Sequence, residues 1–339
     1  MLGALPIAAG CTAQSGPLSR QRKLDDAARV VLLLPLSGNR AALGQQMAKA
    51  VWLVEDLAGL AGQTQIVDAG DTADMAARAT RNAVAQGANI IVGPLFRDQT
   101  PAVVQAAGTA PVLSLSNDAT LAASGAWVFG VTPAQSVDTV LRFAKDSGAR
   151  RMAVLQTNGA LGQRAVDAVT AGARNARVTA LPVVPAATRP GQLAEALQRT
   201  GGGTLPDILY VPGTSATALK QAEAAVQTGV TTIGSLQWSG LDQPQLNRLD
   251  KACFTGPDPV RFNRLSAFFR AQLEEEMGVI AALAVDAVGL AHAAGGTSHL
   301  SHRTPYEGLL GDTRFERDRR CVRRLAILRI DGGDVLPVA

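Results

Sequence analysis

Val30, Val31, Leu32, Leu33 and Leu34, followed by Pro35, Leu36, Ser37 and Gly38, form the stretch on which the fold turns. Five aliphatic residues without polar alternation are what a parallel strand covered on both faces requires, since each face must be apolar to receive a helix. Pro35 to Gly38 then end the strand and start a turn. The next segment, 41–57, places Leu43, Met47, Ala50, Val51 and Val54 at helical spacing. Working outward, the same unit repeats: strands at 65–67, 89–92 and 112–114 with helices at 73–85 and 100–107. A second series opens at Thr132 and Pro133, an N-cap residue with Pro in the first helical turn. It continues with helices at 135–146, 162–173, 191–199 and 215–226 and strands at 152–155, 177–183, 207–211 and 231–235. Two further helices, 260–274 and 279–294, an irregular stretch and a last strand at 325–330 complete the pattern.

Strands alternating with helices imply right-handed crossovers, hence an α/β chain with two doubly wound parallel-sheet lobes. Three strands, at 127–131, 252–256 and 325–330, have no helix of their own. They suit a chain that passes three times between the lobes and so builds a hinge from three strands. The expected division is residues 1–28 as export signal and tether, 29–130 plus 257–322 as one lobe, and 131–256 plus 323–339 as the other.

Composition narrows the class. Hydrophobic residues make up 47% of the 339, charged residues 18% and aromatics 4%, so the core is built from Ala, Val, Leu and Ile. Such a chain is neither disordered nor, with 3 Cys and 34 scattered Gly, a disulfide framework or a collagen. No apolar run reaches the roughly 20 residues that span a bilayer. The net charge of +4 is local: seven Arg and two acids between Arg314 and Arg329 give +5, leaving −1 for the rest. With Phe315 as the single aromatic in that cluster, nucleic-acid stacking is disfavoured, and a solvated hairpin before the last strand is expected. Contact with an acidic partner surface comes second.

The apolar segment 2–10 ends in Ala8, Ala9, Gly10 and Cys11 and is followed by a polar stretch without periodicity, 12–27. It resembles the lipobox of bacterial lipoproteins, which implies cleavage before Cys11 and lipidation of that residue. Thr12 rather than Asp after the Cys points to retention at the outer membrane, with the body in the periplasm.

Catalytic signatures are missing: the chain has no G-x-x-x-x-G-K-[ST], G-x-G-x-x-G, G-x-S-x-G or H-E-x-x-H. His292, His299 and His302 have no Cys or carboxylate at ligand spacing, so neither a metal nor a cofactor is expected. No enzymatic activity is expected either. Cys253 and Cys321 lie beside hinge strands in what would be an oxidising compartment, where a disulfide between them would restrict lobe opening. The alternative is a pair of buried thiols. In open parallel sheets ligands bind beyond the carboxyl ends of the strands. That rule selects Ser37, Leu95, Phe96, Ser116 and Asn117 in the first lobe and Gln156, Thr214 and Trp238 in the second. Capping accounts equally for Ser37, Ser116 and Thr214, and core packing for Trp238.

Four stretches carry a family resemblance: 30–38, 67–72 with Asp68 and Asp71, Ile-Ile-Val-Gly-Pro-Leu at 90–95, and Pro-Val-Leu-Ser-Leu-Ser-Asn at 111–117. Together with 281–290 and 310–324 they resemble the type I periplasmic binding protein fold over residues 29–337. Within it the chain looks most like the penicillin-binding protein activators. That resemblance implies a lipoprotein that activates a bifunctional peptidoglycan synthase by protein contact. The competing resemblance is to the amino-acid-binding subunit of an ABC importer. Such proteins hold a zwitterion with small hydroxyls and backbone N–H groups, where this chain has Leu95, Phe96, Arg97 and Asp98, and no Pro after Ser114.

Overall fold

The computed structural model describes residues 29–185, 189–295, 300 and 305–338. Strand β1 (Val30–Leu34) is buried along its whole length. Its side chains divide between two faces: Val30, Leu32 and Leu34 enter one apolar cluster, Val31 and Leu33 another. Helices Ala41–Leu57 and Val279–Ala294 supply the first cluster, helices Ala73–Ala85 and Thr100–Ala107 the second. Burying each such side chain contributes about 1.5–3 kcal/mol, which is why an unbroken aliphatic run tolerates no polar substitution here.

The first sheet adds β2 (Thr64–Asp68), β3 (Ile90–Val92), β4 (Val112–Ser114) and β5 (Trp127–Val128), all parallel, in the order β2-β1-β3-β4-β5. The second contains β6 (Arg151–Val154), β7 (Thr179–Ala180), β8 (Ile208–Val211), β9 (Thr231–Gly234) and β10 (Cys253–Gly256). Its parallel part runs β7-β6-β8-β9-β10, the same winding as the first sheet, so the two lobes repeat one topology. In each lobe the order reverses between the first strand and the third, and the carboxyl ends there leave a crevice.

The chain leaves the first sheet at residues 129–132, returns at 257–258 and crosses again at 324–325. Helix Val279–Ala294, late in sequence, thus belongs to the first lobe. Every residue from 281 to 288 is buried, and the small Ala side chains admit close approach to helix Ala41–Leu57.

The C-terminal quarter departs from expectation. The stretch after the last helix is not irregular: β11 (Tyr306–Gly308), β12 (Gly311–Phe315) and β13 (Cys321–Arg323) form an antiparallel sheet. The last strand is also not the last, since β14 (Ala326–Asp331) runs antiparallel to β10 and turns back through Gly332 and Gly333 into β15 (Asp334–Pro337). A short helix, Gln243–Arg248, follows a capping box in which Asp242 and Gln245 satisfy each other's backbone N–H groups.

The expected Arg-rich hairpin is β12–β13, but only part of it is solvated. Arg314 pairs with Glu316 at 2.7 Å, and Arg320 with Asp318. Arg319 lies 5.7 Å from the Trp127 ring and donates to Gly125 O. Arg323 is buried, 4.6 Å from the Phe129 ring, and donates to Phe129 O and Thr313 Oγ1. Phe315 meets Trp127 edge-on at 5.0 Å. The scarce aromatics thus converge where the chain first crosses, and the Arg-rich hairpin braces that crossing.

Of the two readings for Cys253 and Cys321, the structure has the pair of buried thiols and not the disulfide. Cys253 packs in the core of the second sheet and Cys321 in that of the first lobe, and both are free and buried. Proximity to hinge strands in sequence did not bring them to one place. Cys11 and the residues before 29 lie outside the described residues, as do His299 and His302.

Candidate functional site

A cavity of about 590 Å³ lies between the lobes, at the carboxyl ends of both sheets. Arg40 follows β1, Leu95 and Phe96 follow β3, and Leu115 and Asn117 follow β4. From the second lobe come Tyr210 within β8, Pro212 and Thr214 after it, and Ser235, Leu236 and Gln237 after β9. The start of helix Val279–Ala294 adds Val279, Ile280 and Leu283, and Leu310 reaches in from the β11–β12 turn. A second hollow of about 510 Å³ adjoins it, lined by Gln156, Thr157 and Asn158 and sharing Leu161, Thr214 and Gln237.

Of the eight residues selected from sequence, Leu95, Phe96, Asn117 and Thr214 line the main cavity, and Gln156 lines the adjoining hollow. The other three do not line it. Ser37 is exposed and hydrogen-bonds the Asp68 carboxylate. Ser116 is buried and its Oγ accepts the Asp118 N–H at 3.3 Å. Trp238 corrects the expectation most clearly: it is fully buried, and its Nε1 donates to Gly213 O at 3.1 Å. Gly234 makes room for the indole, since a Cβ there would lie 2.0 Å from the ring.

The sequence reading missed Arg40, Tyr210, Leu283 and Leu310. The last two come from segments far along the chain that fold back onto the first lobe. Arg40 is the charged side chain on the main lining, which carries no Asp or Glu. Tyr210 is wholly buried beside Ser136, and burial pushes its phenol pKa well up, so it stays protonated.

The strongest electrostatic feature of the cleft is an ion pair between lobes. Asp118, beyond β4 and with a side chain only 1% exposed, meets Arg164 of helix Ala160–Ala176 at 2.7 Å. Arg97, from the loop after β3, approaches the same carboxylate at 3.2 Å. The other oxygen accepts the Thr120 N–H at 3.1 Å and its hydroxyl at 2.7 Å. Burial alone would raise the Asp118 pKa, but the Thr120 donors, Arg164 and Arg97 together hold the carboxyl below the usual range. The first lobe is thereby fastened to the second by its own side chains.

Elsewhere, His292 lies 2.8 Å from Thr64 Oγ1 and 3.7 Å from Glu55 inside the first lobe, where burial pulls its pKa down. No group of His, Cys, Asp and Glu among the described residues has metal-site geometry, and no helix among them is long and apolar enough to cross a membrane.

No curated protein matches the chain. Among solved structures, a branched-chain amino acid ABC transporter protein from Rhodospirillum rubrum is similar over 92% of this chain and 100% of its own, at 19% identity and TM-score 0.75. LpoA from Haemophilus influenzae is similar in its full-length form at 17% identity and TM-score 0.72, where 92% of this chain spans 59% of that one. Its separate C-domain, described as a regulator of PBP1A, is covered over 99% at 16% identity and TM-score 0.68. The substrate-binding protein LivJ of Streptococcus pneumoniae, in complex with isoleucine, matches over 92% of this chain and 99% of its own at 20% identity and TM-score 0.61. At these identities the likeness is one of fold. The family model described as periplasmic binding protein matches residues 27–334. With two equally wound lobes, three crossings and a cleft at the strand ends, the chain belongs to the periplasmic binding protein family.

Proposed function

We propose that this chain is a non-enzymatic lipoprotein that activates a bifunctional peptidoglycan synthase, a penicillin-binding protein, through protein contact. The supporting observation is the pair Asp118–Arg164, which joins one lobe to the other through the protein's own side chains. A solute carrier needs its ligand to drive closure, because only then does the transporter distinguish loaded from empty protein. Here side chains of the two lobes do that work, and the braced crossing at Arg319, Arg323 and Phe315 restricts rotation further. A contact activator benefits from one fixed shape, since a preorganised surface loses less entropy on docking. The similarity to the Haemophilus LpoA C-domain points the same way.

In this proposal Cys11 carries the lipid, residues 12–28 are the tether, and the body stands in the periplasm at the outer membrane. The lobes comprise 29–130 plus 257–322 and 131–256 plus 323–339. The second reading, a solute-binding subunit of an ABC importer for an amino acid or related small polar ligand, is favoured by the size of the cavity. The two separate experimentally. Leucine added to the purified protein should leave its small-angle scattering unchanged, and an immobilised synthase ectodomain should retain the protein. Compaction by leucine without retention would favour the carrier.

A further inference from the structure

The cavity has an asymmetric chemistry. Its wall is apolar over Leu95, Phe96, Leu283 and Leu310, and its one charge is the Arg40 guanidinium. Arg40 makes no ion pair with any described residue. An amino acid entering this space would find a partner for its carboxylate and none of opposite charge for its ammonium. Burying an ammonium without a counter-charge is strongly unfavourable. A carboxylate facing a planar guanidinium, by contrast, gains a bidentate, charge-assisted pair. The volume of about 590 Å³ falls within the span of small-molecule sites.

We infer that the interlobe cavity takes an apolar monocarboxylate without an amino group, its carboxylate on Arg40 and its hydrocarbon body against Phe96, Leu283 and Leu310. The inference concerns the cavity and not the partner, so its failure would leave the synthase reading standing.

The test is calorimetric titration of the full chain with octanoate, octylamine and leucine at equal concentration. Octanoate should give saturable one-to-one heat, with octylamine and leucine giving none. Arg40→Gln, at an exposed position, should weaken octanoate binding at least tenfold while leaving the melting temperature unchanged. Phe96→Ala should weaken it as well, which separates a seated chain from simple charge attraction. Saturable leucine binding, absence of octanoate heat, or full octanoate affinity in Arg40→Gln would each overturn the assignment.

Discussion

Replacing Arg164 by Ala removes the guanidinium that spans the cleft and leaves the Asp118 carboxylate in place. Breaking a buried pair by deleting one partner costs about 3–5 kcal/mol when nothing else stabilises the remaining charge. Here Arg97 and both Thr120 donors stay, and the Arg164 side chain is itself 30% exposed, so most of that penalty is absorbed. A loss of about 1–2 kcal/mol of lobe closure remains, a factor of roughly 5–30 in the ratio of closed to open forms. Small-angle scattering should show a larger radius of gyration for Arg164→Ala than for the native chain. Amide exchange should rise at 115–120 and at the start of helix Ala160–Ala176. Acid gives an independent check. The folded Asp118 pKa lies below its unfolded value, so its contribution is complete above about pH 4 and vanishes as pH falls through the folded value. The latch should therefore hold from neutral pH down to about 4 and release only below it. Identical scattering for Arg164→Ala and the native chain would refute the latch.

Asp286 behaves in the opposite sense. It is almost wholly buried and accepts the Leu309 and Leu310 N–H groups, and burial, offset by Arg323 and Arg261, pushes its pKa up to about 6. Its folded form favours the proton, so stability should fall by roughly 3 kcal/mol as pH rises from about 4 to above 6. Asp286→Asn should flatten that part of a urea-unfolding profile, and an unchanged slope would contradict the account. Trp238→Ala should lose about 3–5 kcal/mol through the cavity it leaves. Trp238→Phe should lose about 1–3 kcal/mol by abandoning Gly213 O, both being read from urea midpoints. The melting temperature of the chain lacking Cys11 should be indifferent to reductant, and a thiol assay in denaturant should count Cys253 and Cys321 as free.

Much of the fold was legible because its signals are local. The run at 30–34 announces a strand covered on both faces, and Thr132 with Pro133 marks the start of the second winding. Of the antiparallel sheet at 306–323 only the Arg-rich hairpin was legible; β11 is three residues long and joins β12 through Leu309 and Leu310, too short a run to show a period of two. Helix Gln243–Arg248 carried a readable signal in Asp242, Pro244 and Gln245 that its six-residue length obscured. For the site, the strand-end rule placed half of its eight selected residues on the main cavity and overlooked residues delivered from afar, Leu283 and Leu310. Trp238 stayed open between cleft and core because an aromatic beyond a strand end reads the same whether it faces one or the other. Only Gly234, with space for the indole and none for a Cβ, decides it. The interlobe pair needed geometry, for Asp118 and Arg164 are separated by 46 positions and share no motif.

The most direct test of the central claim is the turnover of a purified bifunctional penicillin-binding protein on lipid-linked precursor, with and without equimolar amounts of this protein. Faster glycan polymerisation or peptide cross-linking, unaffected by added leucine, is the expected result. Unchanged turnover, together with leucine-driven compaction of the free protein, would contradict it.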